Sequence, residues 1–158
     1  MYSQKRISQI RRRLAELSAL PYGWLDGEGK PIPKAFMQWF TKTFLQKYVS
    51  YLPRPYIYPT ENGDLLLEWG SLFLLEIDSR TKIGQYYSFK DEDVCDGEID
   101  LSRDAGWIQL IALLRQMLPR CNEKAPFRVG NMSRGFQQKQ RRKRCLPGLK
   151  AGVSGLKS

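Results

Sequence analysis

The chain has 158 residues, so we expect one domain with a tail rather than two full domains. Hydrophobic residues make up 42% and aromatic residues 12%, a composition that excludes a wholly disordered chain. The sequence contains no histidine. This excludes an imidazole general base, a histidine-dependent catalytic triad and histidine metal ligands.

The net charge of +10 is concentrated at one end of the chain. Residues 120–158 contain eleven lysines and arginines against one acid, Glu123, whereas residues 1–119 contain fifteen residues of each sign. Within that neutral part, residues 1–20 are basic and residues 61–104 hold twelve acids against four basic groups. Blocks of opposite sign favour self-association, intramolecular docking or binding to nucleic acid.

The three cysteines, Cys95, Cys121 and Cys145, are far apart and form no CxxC pair. This spacing predicts no zinc site, and we expect no metal or other cofactor. An odd number of separated cysteines favours a reducing, cytoplasmic compartment. No apolar run approaches the ~18 residues of a membrane span, and the basic N-terminus leads into an amphipathic segment, so neither a membrane anchor nor a signal peptide is expected.

The first predicted elements are two helices separated by a loop. Apolar residues recur every three or four positions over residues 3–19, with Ser3 as the N-cap. Residues 21–33 contain three glycines and three prolines, which excludes regular structure there. A second helix is predicted over residues 34–49. One face of it, which we expect to be buried, carries Phe36, Phe40 and Phe44.

From residue 54 the apolar period changes to two, which predicts β-strands. The proline-bounded run 54–60 is expected to be an edge strand at most. Asn62 and Gly63 predict a type I′ hairpin turn after it. Further strands are predicted over residues 64–69, 72–77 and 83–89. Their short connections indicate an antiparallel meander.

Residues 90–100 are predicted to form an acidic loop. An apolar helix over residues 103–118 follows, capped by Ser102 and packed on the sheet. Residues 120–158 lose the apolar period and are predicted to be a disordered basic tail. The expected fold class is therefore α+β. An antiparallel meander of three to four strands packs with about three helices in a domain over residues 1–119.

Several motifs occur in order between Gly23 and Leu118. They are GWLDGEGK at 23–30, PYIYPTENG at 55–63, LEW at 67–69, LEID at 75–78, and Ile99-Asp-Leu101 before the helix carrying Trp107. With these motifs the chain resembles an uncharacterised family of small bacterial hypothetical proteins over about 96 of its 158 residues. The resemblance implies a domain unit but no reaction, because the family has no assigned activity. Members of that family end soon after the last helix, so the basic tail departs from the pattern.

Acids on the predicted strands suggest metal-dependent hydrolysis as one possible chemistry. Glu68, Glu76 and Asp78 lie on neighbouring strands, and a divalent-metal nuclease needs two or more acids at one point. Lys82 is close in sequence. However, Asp78 stands where lysine is expected in a Glu-x-Lys nuclease strand, so solvent-facing acids are the favoured interpretation.

Two other ligand patterns fail on spacing. An EF-hand alignment on Gly97 puts Val94 and Arg103 at positions that need oxygen ligands. The glycine-rich loop lacks the phosphate-loop pattern and follows no predicted strand. We expect Trp24 and Asp26 to anchor that loop by packing and an Asx-type turn.

The main functional prediction rests on two charged segments, the basic tail and the acidic segment before the last helix. Six basic residues of the tail are predicted to contact nucleic-acid phosphates: Arg134, Lys139, Arg141, Arg142, Lys143 and Arg144. Five acidic residues are predicted to contact a protein partner: Asp91, Glu92, Asp93, Asp96 and Glu98. The sequence thus favours a non-enzymatic bacterial accessory or binding protein of the antitoxin, immunity or adaptor kind. Two alternatives stay open, namely a small carboxylate–metal nuclease that uses the strand acids and a structural subunit of a larger assembly.

Overall fold

Three helices and five strands make up the described part of the chain in a computed structural model, which describes residues 4–48, 50–90 and 93–118. The elements are α1 (Gln4–Ser18), α2 (Lys34–Lys47), β1 (Tyr56–Pro59), β2 (Leu65–Trp69), β3 (Phe73–Ile77), β4 (Ile83–Lys90), β5 (Asp93–Asp100) and α3 (Asp104–Met117). These residues belong to one compact unit, Met1–Ala125. The predicted domain boundary at residues 119/120 and the predicted tail lie outside the described residues.

The strands form one antiparallel sheet in the order β1-β2-β3-β4-β5. The predicted α+β class and meander are confirmed, but the sheet has five strands instead of three to four. The additional strand is β5, in the segment that was predicted to be an acidic loop. Aspartate and glycine are poor strand formers, so local propensity conceals this strand. Its pairing with β4 over eight residues overrides that propensity.

Gly97 shows how β5 fits against its neighbour. A Cβ atom at this position would lie 2.7 Å from the Tyr86 hydroxyl oxygen. The register pairs Tyr86 with Gly97, so the tyrosine ring occupies the space above the glycine. The glycine that weakens the strand signal in the sequence is therefore the residue that lets the strand pack.

The helices contribute the other half of the core. Ile10, Leu14 and Leu17 of α1 are buried, as their spacing predicts. All three phenylalanines predicted to face the core from α2 are buried, and Phe40 and Phe44 are fully enclosed. Trp107, Leu110 and Leu114 of α3 join the same cluster. Across the described ranges, no helix has the length and hydropathy to cross a membrane.

Two turn predictions are wrong in detail. The β1–β2 turn is a three-residue loop in which Gly63 has φ +84° and the Gly63 amide donates to the Thr60 carbonyl. A type I′ turn needs positive φ at both central residues, and Asn62 is outside that region. At α3, the N-cap is Arg103 instead of Ser102. The Ser102 hydroxyl donates to the Asp100 carboxylate and so does not cap the helix.

The glycine-rich loop before α2 is anchored by Trp24, as predicted. The indole Nε1 donates to the Lys30 carbonyl at 3.2 Å. A Cβ atom at Gly29 would lie 2.8 Å from that Nε1, so the ring needs a glycine there. The Trp24 ring thus packs against the loop backbone at Gly29 and Lys30 and holds the loop in place.

Candidate functional site

The sheet has one face against the helices and one face without a described helix on it. Core residues such as Leu67, Leu75 and Ile99 point toward the helices. Because side chains alternate along a strand, the intervening residues point to the other side. We call this other side the open face. Its strand positions are Tyr56, Tyr58, Leu66, Glu68, Leu74, Glu76, Ile83, Gln85, Tyr87, Phe89, Val94, Asp96, Glu98 and Asp100.

The open face is acidic and aromatic. Five of its strand positions hold carboxylates and four hold aromatic rings, whereas none of the fourteen positions holds lysine or arginine. One row across the sheet runs through Tyr56, Glu68, Leu74, Tyr87 and Asp96, each paired in register with the next. Side chains in such a row are within contact of their neighbours.

Two leucines are buried at the centre of the open face. Leu66 and Leu74 are each 6% exposed, although they lie outside the main core cluster. Outward, the face presents rings and carboxylates, and Val94 near the start of β5 is 59% exposed.

Two tyrosines on this face, Tyr58 and Tyr87, have raised pKa values. Burial, then Glu76 and Asp96, raise the pKa of Tyr87 above its ordinary value. Burial and then Glu68 raise the pKa of Tyr58, while the nearby Arg13 acts in the opposite direction. A tyrosine phenol is protonated near neutral pH, so both side chains can donate hydrogen bonds.

The predicted partner-binding acids divide between the two sides of β5. Asp96 and Glu98 are exposed on the open face, and the Gln85 amide donates to the Glu98 carboxylate at 3.0 Å. Asp93 is exposed but has the opposite orientation, toward the helix side. Asp91 and Glu92 lie outside the described residues, as do all six predicted nucleic-acid-binding residues of the tail.

The three acids of the nuclease alternative do not meet at one point. Glu68 and Glu76 are diagonal neighbours on the open face, because Glu68 pairs with Leu74 and Leu66 with Glu76. Asp78 instead accepts hydrogen bonds from the Arg80 and Thr81 amides in the turn after β3. Among the residues that the structure describes, no group of three or more acids or cysteines is placed to hold a metal ion.

A second surface, of opposite charge, lies where α1 meets β1. We call it the cationic groove. Its volume is about 310 Å³, and its polar lining includes Gln9, Arg12, Arg13, Arg54, Tyr56 and Tyr58. Sequence reasoning missed this site. The only signal was the basic flank of α1 and the alternate tyrosines of β1, and only the tertiary packing of α1 on β1 brings the two together.

Two hydrogen bonds shape the cationic groove. Arg13 Nε donates to the Ile57 carbonyl at 3.0 Å, which satisfies a backbone group on the outer edge of β1. Arg54 Nη1 donates to the Gln9 side chain at 2.9 Å. These bonds hold two guanidinium groups beside the tyrosines.

Comparison of the chain with family models, with curated proteins and with solved structures gives no match. The resemblance to a family of bacterial hypothetical proteins therefore stays a prediction, and the chemistry of these two surfaces is what points to a function.

Proposed function

We propose that this protein is a non-enzymatic binding module whose open face docks a lysine- and arginine-rich segment of a partner protein. The observation that carries the proposal is the composition of that face. Carboxylates and aromatic rings fill nine of its fourteen strand positions, and no strand position on the face holds a cation. Complementary potentials steer and orient protein association.

The aromatic rings favour arginine in particular. A guanidinium group stacks on a tyrosine ring while it forms a paired hydrogen bond with a carboxylate. Tyr87 lies between Leu74 and Asp96 in the row, so a ring and a carboxylate are neighbours there, and burial, then Glu76 and Asp96, raise the pKa of its phenol. A single arginine side chain placed there would contact a ring and an acid together.

Charge also argues against a second copy of the chain as the occupant. A two-fold contact through the open face would bring the same surface against itself. Glu68, Glu76, Asp96 and Glu98 would then approach their own copies, and like charges in apposition are unfavourable. A cationic segment meets the same surface with charges of opposite sign.

The test is binding of a fluorescein-labelled octa-arginine peptide to the full chain, followed by fluorescence anisotropy. We expect Asp96→Asn with Glu98→Gln to weaken binding about tenfold, since each exposed ion pair contributes up to ~1 kcal/mol. The matched control is Glu28→Gln with Glu61→Gln, which removes the same charge from exposed sites off the open face. This control is expected to bind like the wild type.

Three results would overturn the proposal. The first is no binding of the peptide by the wild type, and the second is an equal loss in the control. The third is a dimer of the full chain, seen by light scattering, that the Asp96→Asn and Glu98→Gln variant dissociates, because it would assign the face to a second copy.

A further inference from the structure

The cationic groove is built differently from the open face and calls for a different ligand. Three arginines, Arg12, Arg13 and Arg54, line it against one acid, Glu16. Arg13 already has two partners, because its Nη1 lies 3.4 Å from the Glu16 carboxylate and its Nε donates a hydrogen bond to the Ile57 carbonyl. Arg12 and Arg54 are exposed at the rim, where guanidinium groups can meet an anion.

The charge of α1 extends the groove. The helix carries Lys5, Arg6, Arg11, Arg12 and Arg13 against the single acid Glu16. Lys5, Gln9 and Arg12 are spaced by four and three residues, so they follow one another along one flank of the helix. Lys5 thus adds a positive charge on the same flank as Arg12, with the neutral Gln9 between them.

Two tyrosine rings form the opposite wall. Tyr56 and Tyr58 are alternate residues of β1, and their ring centroids are 6.5 Å apart with an interplanar angle of 20°. Tyr58 is 38% exposed, so part of its ring is open to a ligand. Nearly parallel, accessible rings beside cations are the features with which proteins hold unpaired bases.

We propose that the cationic groove binds single-stranded nucleic acid. Arg12 and Arg54 contact backbone phosphates, and Tyr56 and Tyr58 stack on successive bases. A duplex keeps its bases stacked on one another and does not present a free ring face to the tyrosines. This function goes beyond the protein docking proposed above. The groove shares Tyr56 and Tyr58 with the open face, but its arginines lie outside that face, and the docking is tested at β5, the opposite edge of the sheet.

The test measures binding of the full chain to a labelled ten-nucleotide oligouridylate across a salt series. Removing two phosphate contacts by Arg12→Gln with Arg54→Gln should reduce the slope of log K against log salt by about 1.4, since each single-strand contact contributes about 0.7. Lys42→Gln with Arg80→Gln removes the same charge from exposed positions outside the groove and should leave the slope unchanged.

A second pair of variants tests the rings. Tyr56→Leu with Tyr58→Leu should weaken binding about tenfold or more at every salt concentration and leave the slope unaltered, because stacking on an aromatic ring is sequence-tolerant and uncharged. Circular dichroism at matched concentrations checks that each variant is folded. Arg13 is left intact because it also satisfies the β1 edge.

The proposal is overturned if the groove variants bind the oligonucleotide with the wild-type affinity and slope, or if the wild type does not bind it. It is also overturned if a duplex of equal length binds as tightly, or if an octa-glutamate peptide competes equally well and loses affinity in the same variants. The arginine variants leave the strand positions of the open face unchanged, whereas Tyr56 and Tyr58 also belong to that face, so octa-arginine binding is compared with the arginine variants only.

Discussion

At the scale of single residues, Gly106 is the position at which the fold least tolerates a side chain. It lies in the first turn of α3, and a Cβ atom added there would overlap the carbonyl oxygen of Asp100. The obstacle is backbone, so no change of side-chain rotamer relieves it. The glycine thus allows the chain to turn directly from β5 into α3.

We expect Gly106→Ala to lower the free energy of unfolding by about 1–3 kcal/mol, the range found when a packed site receives an extra group. The measurement is the urea unfolding midpoint of the full chain. Ala105→Gly, one residue away and exposed, is the control and should cost no more than ~1 kcal/mol through helix propensity. An unchanged midpoint for Gly106→Ala would contradict the packing described for this turn.

At the scale of elements, two carboxylates organise the turn from β3 to β4, and Asp64 accepts a hydrogen bond from the Ser79 amide at 2.8 Å. The Asp78 side chain accepts hydrogen bonds from the amides of Arg80 and Thr81, at 2.8 and 2.9 Å. The Thr81 amide is the main cause that lowers the pKa of Asp78 below 3.8. A carboxyl group with a lowered folded pKa stabilises the fold above its unfolded pKa, and this contribution is lost as the pH falls through the folded value.

Asp78→Asn should therefore destabilise the protein by about 1 kcal/mol at neutral pH, because a charged acceptor is replaced by a neutral one. The difference should shrink as the pH falls below 3.8, because the unfolded chain then takes up the proton first, and it should be lost once the pH passes the lowered pKa of the folded Asp78 carboxyl group. Urea unfolding of both proteins at neutral pH and near pH 3 checks this. A difference that stays constant over that range would show that the charge of Asp78 does not stabilise the turn.

Elements with a clear apolar period were predictable from the sequence. The spacing of Ile10, Leu14 and Leu17 predicts α1, and the phenylalanines predict the buried face of α2. Strand β5 was not predictable in this way. Four of its eight residues are acidic, and its stability comes from pairing with β4, which is a tertiary property.

The candidate sites show the same limit. The acidity of the 90–100 segment was visible in the sequence, but the strand register is what places Asp96 and Glu98 beside Tyr87 and Gln85. The cationic groove requires α1 to pack on β1, and residues 44 positions apart, Arg13 and Ile57, meet there. Neither the period nor the composition of a short segment contains that information.

At the scale of the whole described unit, two surfaces of opposite character lie toward opposite edges of one sheet. The groove at β1 combines arginines with tyrosines, and the open face toward β5 combines acids with aromatic residues. The helices occupy the remaining side of the sheet and build the core. Tyr56 and Tyr58 belong to both surfaces, so the acids toward β5 and the arginines beside β1 are what distinguish the two.

Binding of a cationic segment by the open face is tested most directly by an NMR titration that follows the methyl resonances of the protein. A sample of the full chain with labelled methyl groups is titrated with octa-arginine. We expect the Val94, Leu66 and Leu74 methyl resonances of the open face to shift, while those of Leu67 and Leu75 on the core side stay in place. Shifts confined to residues off the open face, or no shifts at saturating peptide, would contradict the claim.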